Sequence, residues 1–177
     1  MEDKDMKVEI RQEEACDFPA VYDINLKAFN RKEEARLADR LRLSDGFIPE
    51  LSLVAIVENK IVGHIMFTKI SIVDEGRSQD SLALAPMAVS PGLQRKGVGQ
   101  QLIRYGLDKA RELGYKSVVV LGHTEYYPRF GFVPTSKWGI KPPFNVPSNV
   151  FMAKELIDGG LSDIKGTVKY AREFGEL

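Results

Sequence analysis

Residues 81–121 hold the pattern that most restricts the fold of this chain, two apolar runs joined by an amphipathic one. The runs at 81–89 and 117–121 predict buried strands. Between them apolar residues recur at 98, 102, 103, 107, 110 and 113, the spacing of one helix face, and Gly114 is suited to end that helix. Strand, helix and strand in this order form a right-handed crossover, so the two strands are expected to lie side by side and parallel.

The turn between the first strand and the helix reads Gln-Arg-Lys-Gly-Val-Gly at 94–99 and predicts a site for an anion. Its two glycines let a ligand approach the backbone, and its two cations lie where the helix offers free N–H groups and the positive end of its dipole. A Walker A loop would need Lys-Ser/Thr after the last glycine, and a dinucleotide fingerprint would need a third glycine at 102, where the chain has leucine. A diphosphate held in another way is therefore expected; a plain packing turn is the alternative.

Composition limits the partners of the chain. Its 177 residues carry 25 Lys and Arg against 25 Asp and Glu, so no net field favours nucleic acid or an anionic membrane, and neither is an expected partner. No apolar stretch approaches the roughly 20 residues of a membrane span, and the acidic start is unlike a secretory signal. The single cysteine, Cys16, excludes an internal disulfide and is typical of a reducing compartment. These features predict a cytoplasmic protein.

The remaining periodicities predict a sheet covered on both faces, because its strands are nearly continuous in apolar residues. The predicted elements are a strand at 7–12, a helix from Asp17 as N-cap to Phe29, a charged helix at 32–43, strands at 51–57 and 61–73, a polar loop at 74–80, an irregular loop at 134–149 and a last strand at 150–153.

Pro86 interrupts the predicted strand at 81–89. Proline cannot donate to a β-ladder, so it marks either an edge strand or a bulge. A bulged strand that splays from its parallel neighbour would leave backbone groups free to pair with an extended ligand arm.

Two motifs in register carry a resemblance to a known family. Leu-Ala-Pro-Met-Ala-Val-Ser-Pro at 84–91, followed by Gln-x-x-Gly-x-Gly, resembles the acetyl-CoA signature of the GCN5-related N-acetyltransferases (GNAT). Tyr127 stands four residues before Gly131-Phe132, as in that family. The order of elements from 7 to 133 is also similar. Residues 121–132, 151–156 and 166–170 are similar to a bacterial subgroup, the YhbS-like predicted N-acetyltransferases.

The resemblance implies a fold and an activity. The fold is α/β, the acyl-CoA N-acyltransferase (GNAT) fold with a central mixed, splayed β-sheet flanked by helices. A single domain is expected over 1–177, with an acetyl-CoA-binding core at about 81–133 and a C-terminal extension at about 134–177. The activity is transfer of the acetyl group of acetyl-CoA, as co-substrate, to a primary amine by direct attack in a ternary complex. The alternatives are an acyl-CoA-binding sensor or scaffold without transfer, and an acyltransferase for a different acyl-CoA.

The same resemblance assigns roles to residues. Tyr127 would donate a proton to the leaving CoA thiolate, with Tyr126 as the alternative, and a backbone N–H within 87–89 would polarise the thioester carbonyl. An asparagine common in the family is Val120 here, so its contact with the cofactor is expected to be missing or replaced. The implied cofactor-binding residues are Met87, Ala88, Val89, Gln94, Arg95, Lys96, Gly97, Val98, Gly99 and Gln100.

Other roles are open or expected to be absent. The candidates for the general base are Glu33, Glu34, Glu125, His64, His123 and a water chain. Cys16 is expected to be a small buried residue rather than an acyl-carrying nucleophile, and two histidines with one cysteine do not support a zinc site, so no metal is expected. The amine acceptor is unidentified, its specificity is expected in the loops at 30–50 and 134–149, including Trp138 and Phe144, and a homodimer is the expected assembly if the chain associates.

Overall fold

The computed structural model describes residues 6–176, in which nine strands form one mixed sheet with three α-helices packed on it. The strands are β1 (Glu9–Gln12), β2 (Phe47–Val57), β3 (Lys60–Asp74), β4 (Arg77–Val89), β5 (Ser117–Leu121), β6 (Val133–Pro134), β7 (Ile140–Lys141), β8 (Phe151–Glu155) and β9 (Gly166–Lys169). The helices are α1 (Phe18–Phe29), α2 (Glu33–Arg42) and α3 (Val98–Glu112), and short 3-10 turns lie at Ala15–Asp17, Pro91–Leu93, Tyr127–Phe130, Thr135–Trp138, Ser148–Val150 and Arg172–Glu176.

The sheet follows the order β1-β2-β3-β4-β5-β8-β6, with β9 paired to both β3 and β7. Neighbouring strands of the sheet are antiparallel, except that β4 is parallel to β5 and β7 is parallel to β9. The predicted crossover of strand, helix and strand is therefore present as β4, α3 and β5, and Gly114 follows α3 with the left-handed φ of 94° that the prediction required.

The polar loop predicted at 74–80 is wrong. Only Glu75 and Gly76, both with positive φ, turn the chain; Arg77 already pairs with Asp74, and β4 continues from there beside β3. Residues 77–80 are largely exposed. Their polar sequence is typical of a loop, because the solvent-exposed end of a β-hairpin needs no apolar side chains.

The C-terminal extension contributes more strands than the sequence predicted. The strand expected at 150–153 is present as β8, but it is not the last, because β9 pairs with Ser71–Val73 of β3. The irregular loop predicted at 134–149 also contains β7 and most of two 3-10 turns. These elements are two to four residues long, too short to show a hydrophobic period.

The two faces of the sheet are covered differently. Helix α3 packs over β2, β3 and β4, and comes so close that a Cβ on Gly106 would overlap the Phe67 ring. Helices α1 and α2 cover the other face, where Leu37 and Leu41 pack against Met66. Asp17 precedes α1, but its carboxylate accepts the Glu14 N–H and pairs with Arg11 instead of capping the helix. Within residues 6–176, no helix has the length and apolar character needed to cross a membrane.

Candidate active site

A bulge in β4 opens the sheet between β4 and β5. Ile65 of β3 pairs with Met87 and Phe67 pairs with Leu84, so β4 has one more residue than β3 over this stretch, at Ala85–Pro86. Pairing between β4 and β5 joins Leu82 to Val118 and Ala83 to Val119, below the bulge. Pro86 thus marks a bulge in an interior strand and not an edge, and β4 departs from β5 beyond Ala83.

The backbone of β4 turns its polar groups into this opening. The Ser90 N–H donates to the Val62 carbonyl of β3 at 2.8 Å, so residue 90 faces β3. Because backbone groups alternate along a strand, Ala88 also faces β3, whereas Met87 and Val89 face the opening. The Val89 carbonyl accepts a hydrogen bond from Gln94 Nε2 at 3.1 Å. The N–H groups of Met87 and Val89 are therefore directed to where β5 no longer pairs.

The turn at 94–99 forms a cradle of backbone donors. Arg95 has φ 65° and Gly97 has φ 89°, two left-handed residues that curl the chain ahead of α3. The first bond of α3 runs from the Gln101 N–H to the Gly97 carbonyl, and Gly97 offers no side-chain cap. The N–H groups of residues 98–100 consequently have no acceptor in the described part of the chain. This is the geometry of an anion site.

Tyr126 borders the cradle. A Cβ built on Gly99 would lie 3.1 Å from the Tyr126 hydroxyl, 3.7 Å from Val89 Cγ2 and 3.9 Å from Met87 Cε. Gly99 is therefore required for close packing, and it brings the tip of Tyr126 to the junction of β4 and α3. Burial raises the pKa of Tyr126, although Arg129 and Arg104 oppose this.

Tyr127 lies deeper, at 8% exposure, with its ring against the backbone of Gly122. Its ring meets Tyr126 and Phe132 edge to face, at centroid distances of 5.3 and 5.7 Å. The pKa of Tyr127 is raised well above that of an ordinary phenol, mainly by burial and to a smaller extent by the neighbouring Tyr126. Neither tyrosine hydroxyl is hydrogen-bonded to another protein group among the described residues. Val120, where the family commonly has asparagine, is buried in the core beneath them.

Among the five side chains considered as bases, His64 is the one in a buried polar network. Its Nε2 lies 3.0 Å from Ser52 Oγ, and the Ser52 hydroxyl donates to Glu13 Oε1 at 2.6 Å. Arg42 donates to both Glu13 oxygens, at 2.8 and 3.0 Å. Burial on its own would raise the pKa of Glu13, but the bonds from Arg42 and Ser52 bring it below its usual value.

The network fixes the tautomer of His64. Because the Ser52 proton is directed to Glu13, the Ser52 oxygen accepts from His64 Nε2–H, and Nδ1 carries the free lone pair. That atom is buried without a partner in the described residues. Burial lowers the pKa of His64 to about 4, against the pull of Glu13, so the ring is neutral at pH 7. A neutral ring of such low pKa is a poor acceptor for the proton of an ammonium ion.

The other four candidates for the base lie at the surface or are only half-buried. Glu33, Glu125 and His123 are exposed, and half-buried Glu34 pairs with Arg31. Sequence reasoning did not find Glu13, Ser52 and Arg42 as partners of His64. The available signal was the presence of Ser52 and His64 inside apolar strand runs, where a polar residue needs a partner.

Cys16 is exposed, which contradicts the prediction of a buried residue. It lies in the 3-10 turn Ala15–Asp17 ahead of α1, in which Asp17 and not Cys16 is the buried residue. Ligand atoms of Glu14, Cys16 and Asp17 lie within 4.8 Å of one another, but Arg11 binds both carboxylate oxygens of Asp17. This occupied cluster does not suit a metal ion.

Comparisons with known proteins agree with this geometry. The family model described as "Acetyltransferase (GNAT) family" matches residues 8–132. The uncharacterized N-acetyltransferase YhbS of Escherichia coli is 31% identical over 169 residues, which cover 95% of this chain and 99% of YhbS. YjhQ of the same organism, also an uncharacterized N-acetyltransferase, is 41% identical over 128 residues, or 72% of this chain and 71% of YjhQ.

Two solved structures extend the comparison. The crystal structure of YhbS from Escherichia coli in complex with CoA has a TM-score of 0.90 at 28% identity, covering 98% of this chain and 94% of that one. A GNAT family acetyltransferase from Brucella melitensis, in complex with acetyl-CoA, has a TM-score of 0.77 at 28% identity. The match covers 96% of this chain and 99% of that one. The predicted fold class and the resemblance to YhbS-like proteins are thereby confirmed. The chain belongs to the GNAT acetyltransferase family.

Proposed function

We propose that this protein transfers the acetyl group of acetyl-CoA to a primary amine by direct attack in a ternary complex. The observation that carries the proposal is the opening between β4 and β5, which has outward-facing backbone donors along one side and the cradle at its end. In this proposal the pantetheine arm pairs with Met87–Val89, and the diphosphate binds Gln94–Gln100 at the start of α3. The CoA and acetyl-CoA complexes of the two similar proteins support this choice of ligand.

The reaction needs a polarised carbonyl and a stabilised leaving group. The free amine attacks the acetyl carbon, the carbon–sulfur bond breaks, and the proton that the nitrogen loses on becoming an amide passes to the thiolate. A backbone N–H of Met87 or Val89 stabilises the developing oxyanion. Tyr127 donates a hydrogen bond to the thiolate, and its raised pKa keeps the phenol protonated throughout the neutral range. The ammonium form of the acceptor gives up its proton to water, since the neutral His64 is a weak base.

The role of Tyr127 is tested by Tyr127→Phe with Tyr126→Phe as its matched control. Release of CoA thiol is followed with acetyl-CoA and a broad panel of amines. We expect Tyr127→Phe to lower kcat by about a hundredfold while KM for acetyl-CoA changes little, because the lost bond forms only as the thiolate leaves. The Tyr126 variant should affect mainly KM. Unchanged kcat in Tyr127→Phe would disprove the assignment, and a fall in kcat confined to the other variant would transfer it to Tyr126.

The cradle is tested separately by charge reversal. Arg95→Glu should weaken CoA binding at least about tenfold, since it places a carboxylate beside the diphosphate. Arg77→Glu, at the opposite end of β4, is the control and should bind CoA as the unaltered protein does. Equal CoA affinity in both variants would show that the diphosphate lies elsewhere.

The amine panel also separates the proposal from its alternatives. Tight CoA binding without thiol release for any amine would indicate a sensor or scaffold. Faster turnover with propionyl- or succinyl-CoA than with acetyl-CoA would indicate a different acyl donor. Once the best amine is known, substitutions in the segments at 30–50 and 134–149 would test whether these segments determine its specificity.

A further inference from the structure

A second cleft lies on the α3 side of the sheet, away from the proposed acetyl-transfer site. Its volume is about 990 Å³. The C-terminal half of α3 forms one wall, and the turns at 127–130 and 135–138 and the end of β8 form the others. We call it the α3 cleft. The residues that matter for its chemistry are Arg104, Arg129, Phe130, Lys137, Trp138 and Lys154.

The α3 cleft is separate from the cradle. Its α3 residues, from Arg104 to Arg111, are about 8 to 18 Å along the helix from Gly99. The cradle follows the carboxyl end of β4, whereas Lys154 pairs with Val118 near the amino end of β5. Between the two regions, Phe130 packs edge to face on Tyr126 at 5.3 Å and carries the Arg104 guanidinium 5.6 Å above its ring.

Within residues 6–176, five cations and three acids line the α3 cleft. Arg104, Arg129, Lys137 and Lys154 have no carboxylate partner within the described residues. Of the three acids that line the cleft, Asp108 is bound by Arg111 at 2.6 Å, Glu155 accepts the Leu161 N–H at 2.8 Å and keeps its charge, and Asp158 is exposed. Lys154 is half-buried, and its Nζ lies 2.6 Å from where a Cβ of Gly131 would be, so the glycine makes room for the ammonium group. The five cations exceed the three acids by two charges. This excess favours an anion, and arginine favours phosphate in particular.

The α3 cleft also has aromatic surfaces. Phe130 is buried and Trp138 is half-buried, and the Lys137 ammonium lies 5.2 Å from the centre of the Trp138 ring. A flat ring system can stack on the exposed part of Trp138 while its negative groups meet the surrounding cations. The volume is at the upper end of the range for small-molecule sites, so a ligand with both a base and a phosphate chain fits. We propose that the α3 cleft binds a nucleoside phosphate independently of CoA.

Trp138 makes the proposal directly measurable, because it is the single tryptophan of the sequence. Its fluorescence is recorded while ATP is added to protein already saturated with CoA, and again without CoA. We expect a saturable change with ATP in both cases. Adenosine, which lacks the charge, and tripolyphosphate, which lacks the base, should each bind at least about tenfold more weakly. The measurement involves no acetyl transfer. ATP binding can therefore be absent while acetyl transfer is present, and ATP can bind to a protein that transfers no acetyl group.

Variants place the ligand. Lys154→Gln and Lys137→Gln should each weaken ATP binding about tenfold while CoA affinity and melting temperature are unchanged. Lys60→Gln, at the first residue of β3, is the control and should bind ATP normally. The proposal is wrong if CoA abolishes the ATP signal, since ATP then occupies the cofactor site. It is equally wrong if tripolyphosphate binds as tightly as ATP, if neither lysine variant weakens binding, or if ATP gives no signal up to roughly 1 mM.

Discussion

At the scale of single residues, His64 shows how the chain tolerates a buried polar group. The ring is fully buried, one nitrogen is bound to Ser52, and the charge of Arg42 is compensated by Glu13. An unmatched buried acceptor such as Nδ1 costs about 1 to 3 kcal/mol, so the network around it is retained at some expense in stability. His64 pairs with Ala88 in the register of β3 and β4, so it lies beside the segment of β4 proposed to hold the thioester.

His64 makes the stability of the protein dependent on pH. The pKa of His64 falls from 6.5 to about 4 on folding. Between these two pH values the unfolded chain therefore binds a proton on this residue and the folded chain does not. Stability should therefore be complete above pH 6.5 and fall as the pH decreases towards 4, by up to roughly 3 kcal/mol from this residue. Glu13, with its lowered pKa, adds a loss of the same sign at lower pH.

Urea unfolding at pH 7, 6 and 5 measures this dependence. The slope of unfolding free energy against pH should become smaller in His64→Gln, whose amide can still donate to Ser52. His123→Gln is the matched control, because His123 is the other histidine of the chain and its side chain is exposed. An identical slope in His64→Gln and the unaltered protein would contradict the prediction.

At the scale of elements, the two halves of β4 have different neighbours. Its first half is an ordinary hairpin strand, and its second half, after the bulge at Ala85–Pro86, faces β3 on one side and an opening on the other. From one proline the sequence predicted either a bulge or an edge strand here, because the missing N–H has a local consequence, and the structure has the bulge. It did not predict that β4 begins at Arg77, because residues 77–80 are polar and their pairing depends on the partner strand.

The alternation in β4 predicts a pattern of amide exchange. Without cofactor, the Ala88 N–H, which faces β3, should exchange slowly, while those of Met87 and Val89 should exchange quickly. Saturating acetyl-CoA should slow exchange at Met87 and Val89 at least about tenfold and change Ala88 little. Residue-resolved hydrogen exchange by NMR measures all three. Equal protection of the three amides before cofactor is added would mean that the opening is closed in solution.

At the scale of the whole molecule, local signals and distant contacts account for what could and could not be predicted. The crossover of β4, α3 and β5 and the turn around Gly97 were predictable, because periodicity and glycine placement are local properties. The short strand β9, the exposure of Cys16 and the pairing of Glu13 with Arg42 depend on segments far apart in sequence, which one chain read alone does not bring together. The cofactor-binding residues and Tyr127 stay predictions until they are tested.

The joining of β9 to β3 depends on Gly166. Its φ is 127°, and a Cβ there would overlap the Val73 carbonyl of β3. Gly166→Ala should therefore lower the unfolding free energy by roughly 2 to 4 kcal/mol and the melting temperature by about 4 to 12 °C. Gly175→Ala is the matched control: a Cβ there meets nothing within 4 Å, and stability should change by less than about 0.5 kcal/mol. Equal melting temperatures for the two variants would show that β9 contributes little to the sheet.

The pairing of Ser71–Val73 with Thr167–Lys169 has a consequence for synthesis. When a ribosome has released the segment that the family model matches, this part of β3 still has an open edge, since its partner has not been made. An open edge on a nascent chain can pair with the same edge of a neighbouring chain on the same messenger. Slow translation between residues 132 and 166 would therefore raise the loss of newly made protein to aggregates, without altering any residue of the finished molecule.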